Sequence, residues 1–164
     1  MGRIATAFSV AFILSATSAS AAELPARKAG LWEITIAGDH AIKVRQCSDA
    51  ASDQVMEQAV TGLPGECAKR DVEKSGSTIT VVSVCTSGHK STTSHMVISG
   101  NLDSDYTMTM TSEAAGQADA PPMTMSAKWL GPCEKDQRPG DVIMPNGAKI
   151  NIVNQQKSVD RAAR

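Results

Sequence analysis

Aromatic side chains are scarce in this chain. Two Phe, two Trp and one Tyr make up 3% of 164 residues. Both Phe, Phe8 and Phe12, fall in an N-terminal apolar stretch. The core must therefore lean on Ile, Val, Leu and Met. An excess of one charge is also missing, with 16 Lys and Arg against 17 Asp and Glu. That balance excludes the basic footprint of a nucleic-acid binder and a polybasic patch for anionic lipid. No Gly-rich phosphate loop and no G-x-S-x-G nucleophile elbow occurs. Carboxylates are scattered singly, with Asp103 and Asp105 the only close pair expected on one strand face. Nothing here writes out a catalytic site, and no cofactor is expected. A hydrolase without a recognisable motif is the third-ranked reading.

Long apolar runs are also absent. The longest, Ile4 to Leu14, is too short for a bilayer span, which takes about 20 residues. It follows Arg3 and leads into Ala19-Ser20-Ala21-Ala22, the pattern of a secretory signal peptide over 1–22. Removing Arg3 with it leaves 15 basic against 17 acidic residues, a net charge of −2. The expected product is periplasmic, soluble after cleavage, without a membrane span, and monomeric.

What the chain does have is four cysteines, Cys47, Cys67, Cys85 and Cys133, all beyond the cleavage site. An even count in an exported chain reads as two disulfides. Zinc sites usually contain a C-x₂₋₄-C pair, and none exists.

The other asset is alternation. Trp32, Ile34 and Ile36 share one face of a strand, and Ile42 and Val44 share one face of the next, with Gly38-Asp39 turning between. Helical spacing then takes over at Ala51, Val55, Met56, Ala59 and Val60. This predicts a helix near 49–61, capped by Ser48, with Asp49 at the positive end of its dipole. It is the only helix expected. A hairpin follows around Ser75-Gly76-Ser77. A three-residue loop sets Cys67 opposite Cys85, whereas a two-residue loop sets it opposite Val84. Ser91 to Ser99 alternates next, with Met96 and Ile98 inward.

The stretch from Tyr106 to Cys133 holds half of the chain's methionines. A hairpin centred between Gly116 and Gln117 sets Met108 against Met125 and Met110 against Met123. Four soft thioethers so gathered suit Cu(I), while the plain alternative is Met as adaptable core filler. Trp32 and Trp129, on the first and last core strands, can pack together or line an apolar pocket with Ile34, Met96, Met108 and Met110. His40, His89 and His95 are expected on the surface.

Beyond Cys133 the chain reads as a linker, then a hairpin over 141–153 around Asn146-Gly147, then a polar tail that frays. The divisions are thus 1–22, a β domain over 23–133, and 134–164. The architecture expected is an all-β antiparallel meander of seven to nine strands, curled into a barrel or strongly bent sheet with one crossing helix. The hairpin favours Cys67–Cys85, and elimination leaves Cys47–Cys133. The function expected is a non-enzymatic binding or interaction module, for a small apolar ligand or a periplasmic protein partner. A Cu(I)-binding protein is the alternative.

Three pieces carry a family likeness: Arg27-Lys28-Ala29-Gly30-Leu31-Trp32-Glu33, residues 123–133 ending Trp129-Leu130-Gly131-Pro132-Cys133, and 139–147. Together they resemble the bacterial exported domain of unknown function numbered 3617. The resemblance implies a small periplasmic protein with paired cysteines. It implies no activity and no catalytic residues.

Overall fold

The computed structural model describes residues 24–61, 67–87, 90–114 and 121–162. The expected signal peptide lies outside the described residues, as do His89 and most of the loop between the two Met-x-Met strands. The element order is β1 (Gly30–Ile36), β2 (Ile42–Ser48), α1 (Ala50–Thr61), β3 (Cys67–Ser75), β4 (Thr78–Ser87), β5 (Lys90–Asn101), β6 (Asp105–Ala114), β7 (Met123–Gly131), β8 (Asp141–Ile143), β9 (Lys149–Asn151) and α2 (Ile152–Ala162). The strands form one antiparallel sheet in the order β3-β4-β5-β6-β7-β1-β2-β8-β9. Helix α1 carries the chain from β2 to the far edge at β3.

Period-2 alternation fixes one apolar face across these strands. Trp32, Ile34 and Ile36 pair with Gln46, Val44 and Ile42 on one side and with Trp129, Ala127 and Met125 on the other. Met108 sits opposite Met125 and Met110 opposite Met123, the register that the two Met-x-Met arms predict. Ile98 and Met96 continue the same face, then Ile79 and Val81. Two buried clusters result, one around Ile79, Val81, Met96 and Met108, the other around Trp32, Ile34 and Ala127. Tyr106 and Met125 touch both.

The sheet bends strongly. β2 and β3 stand six strands apart, roughly 29 Å in a flat sheet at about 4.8 Å per step. Yet Asp53 and Glu57, about one helical turn apart on α1, reach both sides. Asp53 holds Arg27, which bonds Gln46 of β2, while Glu57 bonds Arg70 of β3. Only a curled sheet brings its flanks that close. Among the described strands no ladder joins β3 to β9, so the bent sheet stays open and is not a closed barrel.

Both disulfides form, Cys47–Cys133 and Cys67–Cys85. The β3–β4 turn is shorter than the three-residue loop. Ser75 pairs with Thr78 around Gly76-Ser77, and Gly76 takes φ 59° at the first central position, where a tight hairpin turn favours glycine. A bulge at Ala68 then shifts the register, so Cys67 still faces Cys85.

Two helix expectations need correction. The cap of α1 is Asp49, not Ser48. Asp49 Oδ1 accepts from the Ser52 amide and Ser52 Oγ accepts from the Asp49 amide, a reciprocal capping box. Ser48 is the last residue of β2 and is buried. The polar tail is also not frayed through Ala162. It forms α2, capped by Asn151, whose Oδ1 accepts from the Asn154 amide. The 141–153 hairpin closes earlier, at Asn151, and β8 pairs with β2, so it extends the same sheet.

Candidate functional site

Segment 24–29 enters along the concave face before β1 begins. It is tied down at several points. The Lys28 amide donates to the Leu102 carbonyl at 2.9 Å, and Trp32 Nε1 donates to the Lys28 carbonyl at 2.8 Å. Leu24 packs on the Met96–Met108 cluster. Helix α1 lies over the same face. Between the sheet, α1 and this segment is a cavity of about 530 Å³. Its floor is apolar: Ile34, Met96, Ile98, Met108 and Met125. Its roof is polar, because α1 turns Asp53, Gln54, Glu57 and Gln58 toward it along with Met56.

That roof differs from the apolar helix stripe expected. Ala51 is exposed, and Val55 and Met56 are only half-buried. The side chains of Ala59 and Val60 lie outside the described residues. The i, i+4 carboxylates Asp53 and Glu57 share one helix face and point to two arginines from other elements.

Arg27 organises one corner of the cavity. Its Nε donates to Asp53 Oδ1 at 2.9 Å, Nη2 to Gln46 Oε1 at 2.7 Å and Nη1 to the Tyr106 hydroxyl at 3.3 Å. The guanidinium also lies over the Trp32 ring, 5.4 Å from its centre, and that ring tilts against Tyr106. The Arg27 and Asp53 side chains are 8% and 14% exposed. Burial pushes the Asp53 carboxyl above its usual range, outweighing Arg27, which pulls it down. Burial likewise raises Tyr106, so its hydroxyl stays protonated at neutral pH.

Of the pocket residues read from sequence, Ile34, Met96 and Met108 line the cavity. Trp32 is fully buried and supports Arg27 from behind. Met110 and Trp129 do not line it. Of the four methionines proposed as thioether ligands, Met108 and Met125 line the cavity, while Met123 is 37% exposed and does not line it. Arg27, Asp53, Gln46 and Tyr106 were missed. Gln46 and Tyr106 had a signal, since each sits at an inward position among apolar neighbours, where a polar group needs a partner. Arg27 had none.

Several other expectations resolve outside the cavity. His40 and His95 are exposed. Asp103 falls in the turn before β6, so it shares no strand face with Asp105. Among the described residues no group of three or more His, Cys, Asp or Glu is placed to hold a metal ion. No described helix is long and apolar enough to cross a membrane.

The motif blocks that carried the family likeness interlock as scaffold. Trp32 and Trp129 pair across β1 and β7. Trp129 Nε1 donates to the Ala29 carbonyl at 3.2 Å, and Lys28 Nζ lies 3.7 Å above the Trp129 ring. Gly30, at φ 139°, leaves no room for a side chain. A Cβ there would lie 2.4 Å from the Gly131 carbonyl oxygen and 2.5 Å from Trp129 Nε1.

No curated protein and no solved structure matches the chain. One family model does, over residues 27–133, more than half the chain and the span that holds both Trp blocks and all four cysteines. The chain belongs to the family described as protein of unknown function (DUF3617).

Proposed function

We propose that this protein is a non-enzymatic binding module that takes a small apolar molecule into the cavity beneath α1. The observation that carries the reading is a space of about 530 Å³ floored by Ile34, Met96, Ile98, Met108 and Met125. Small-molecule sites are concave, mostly apolar and in this size range. Methionine lets such a floor adapt to different shapes. The charges around the space are tied in ion pairs, Arg27 with Asp53 and Arg70 with Glu57, an arrangement for holding a roof in place rather than for moving protons. The module works in the periplasm, after its leader is removed. Two disulfides agree with an oxidising compartment.

The test is displacement of an environment-sensitive apolar dye from the exported, oxidised protein. Dye should bind one to one, and Met108→Trp, which fills the floor, should abolish binding without unfolding the chain. Dye binding untouched by Met108→Trp would place it elsewhere and defeat the reading. A second reading, Cu(I) on Met108, Met110, Met123 and Met125, draws on their cross-strand register. It requires tight one-to-one Cu(I) binding against a chromogenic chelator, lost in Met110→Ala.

A further inference from the structure

The corner around Arg27 has a hydrogen-bond polarity that narrows what the cavity takes. Arg27 offers only donors. It therefore uses the oxygen of Gln46 and the oxygen of Tyr106 as acceptors. Reversing the Gln46 amide would set NH₂ against guanidinium, donor against donor, so Arg27 fixes its orientation. Both groups are left with hydrogens to give. Gln46 is 1% exposed, and its Nε2 has no partner among the described residues. The Tyr106 hydroxyl has Arg27 as its one hydrogen-bond partner among the described residues, and it accepts that bond. Buried donors are almost always satisfied, and leaving one unmade costs about 1–3 kcal/mol. The corner therefore lacks an acceptor.

The charges decide which acceptor. Arg27 is neutralised by Asp53, and Arg70 by Glu57. A carboxylate brought into this space adds a negative charge to a wall whose charges are already balanced, and among the described residues both of its cations, Arg27 and Arg70, are already paired. Its desolvation would go unrecovered. An ammonium group would find donors where it needs acceptors. A carbonyl fits both conditions, since it accepts two hydrogen bonds and brings no charge.

We infer that the ligand is amphipathic, an apolar chain or ring bearing an uncharged carbonyl such as an ester or ketone, whose oxygen docks on Tyr106 Oη–H and Gln46 Nε2–H while its hydrocarbon lies on the methionine floor. This rests on the cavity being a binding site. Tyr106 is the less enclosed of the two donors and meets the oxygen first.

The probes are decane, methyl decanoate and decanoate, each used at pH 7.5 to displace the apolar dye from the oxidised protein. Methyl decanoate should bind roughly tenfold more tightly than decane, the worth of one or two net hydrogen bonds. Tyr106→Phe should shrink that advantage to within about twofold, and Gln46→Met should reduce it in part, each read as the ratio of ester to decane affinity in the same variant. Decanoate should bind more weakly than its ester and gain as pH falls toward its own protonation. Thermal melts check that each variant is folded; if Tyr106→Phe is not, Gln46→Met and the order of the three probes on the native protein carry the test. Decane and ester binding equally, or decanoate binding best at pH 7.5, overturns this inference and leaves the binding module standing. If none of the three displaces the dye, the binding module falls and this inference falls with it.

Discussion

Replacing Arg27 with Met tests the ion pair that closes the cavity. The substitution keeps a long apolar stem and deletes the guanidinium, stranding the Asp53 carboxylate at 14% exposure. Breaking a buried pair from one side costs roughly 3–5 kcal/mol, far above the 0–1 kcal/mol of a surface pair. In a chain of this size each kcal/mol moves Tm by about 2–4 °C, so the variant should melt roughly 6–20 °C lower. The double variant Arg27→Met/Asp53→Leu removes the stranded charge and should recover most of the loss. Acid should help the single variant. In the native fold Asp53 already binds its proton more tightly than its usual 3.8, because burial outweighs Arg27. A raised folded pKa means that the fold holds more protons than the unfolded chain just above that value, so Asp53 weakens the fold as pH rises through the window. Without Arg27 the window extends upward. The deficit of Arg27→Met should therefore shrink between pH 7 and pH 5, and that of the double variant should not change. Urea titration at both pH values, followed by the fluorescence of Trp32 and Trp129, reads all of this. A single variant that loses less than about 1 kcal/mol, or a double variant no better than the single, would refute the argument.

Two further predictions concern the frame. Cys47→Ala/Cys133→Ala should cost about 4–5 kcal/mol and Cys67→Ala/Cys85→Ala about 3, because the closed loops differ, with separations of 86 and 18 residues; denaturation of the two double variants gives the order. Gly30→Ala should cost about 2–5 kcal/mol through overpacking and backbone strain, read as a lowered melting temperature, whereas Gly38→Ala, with nothing within 4 Å, should melt like the parent.

Much of this fold is legible in the sequence because alternation survives folding unchanged. Trp32, Ile34 and Ile36 keep the parity that the bare sequence gives them, and the Met108–Met125 register follows from two short arms. Legibility fails where partners are distant or apolarity is thin. α2 sets Ile152, Val153 and Val159 at helical spacing, but so few apolar residues are easily passed over in a polar tail, and its Asn151 cap is visible only once the β9 strand end is known. The polar roof of the cavity was hidden for a different reason. Periodicity in α1 weighs Ala and Val, but the face that turns to the sheet is chosen by Asp53 and Glu57, whose arginines lie 26 and 13 residues away. Gln46 and Tyr106, polar groups at inward positions on an apolar face, are the readable traces of the polar corner.

The crossover from β2 to β3 by way of α1 bears on the order in which the cysteines find their partners. A chain is synthesised from its N-terminus. Cys47 arrives first and meets Cys67, then Cys85, before its own partner Cys133 appears 86 residues later. The native bonds are nested, the shorter inside the longer, so pairing in order of arrival gives the wrong connectivity. The tight turn at Gly76-Ser77 counters this. A local hairpin forms far faster than contacts across the whole sheet, and once β3 and β4 zip together, Cys67 and Cys85 occupy each other. Cys47 is then left waiting for the last strand of the meander, β7, to bring Cys133 to it.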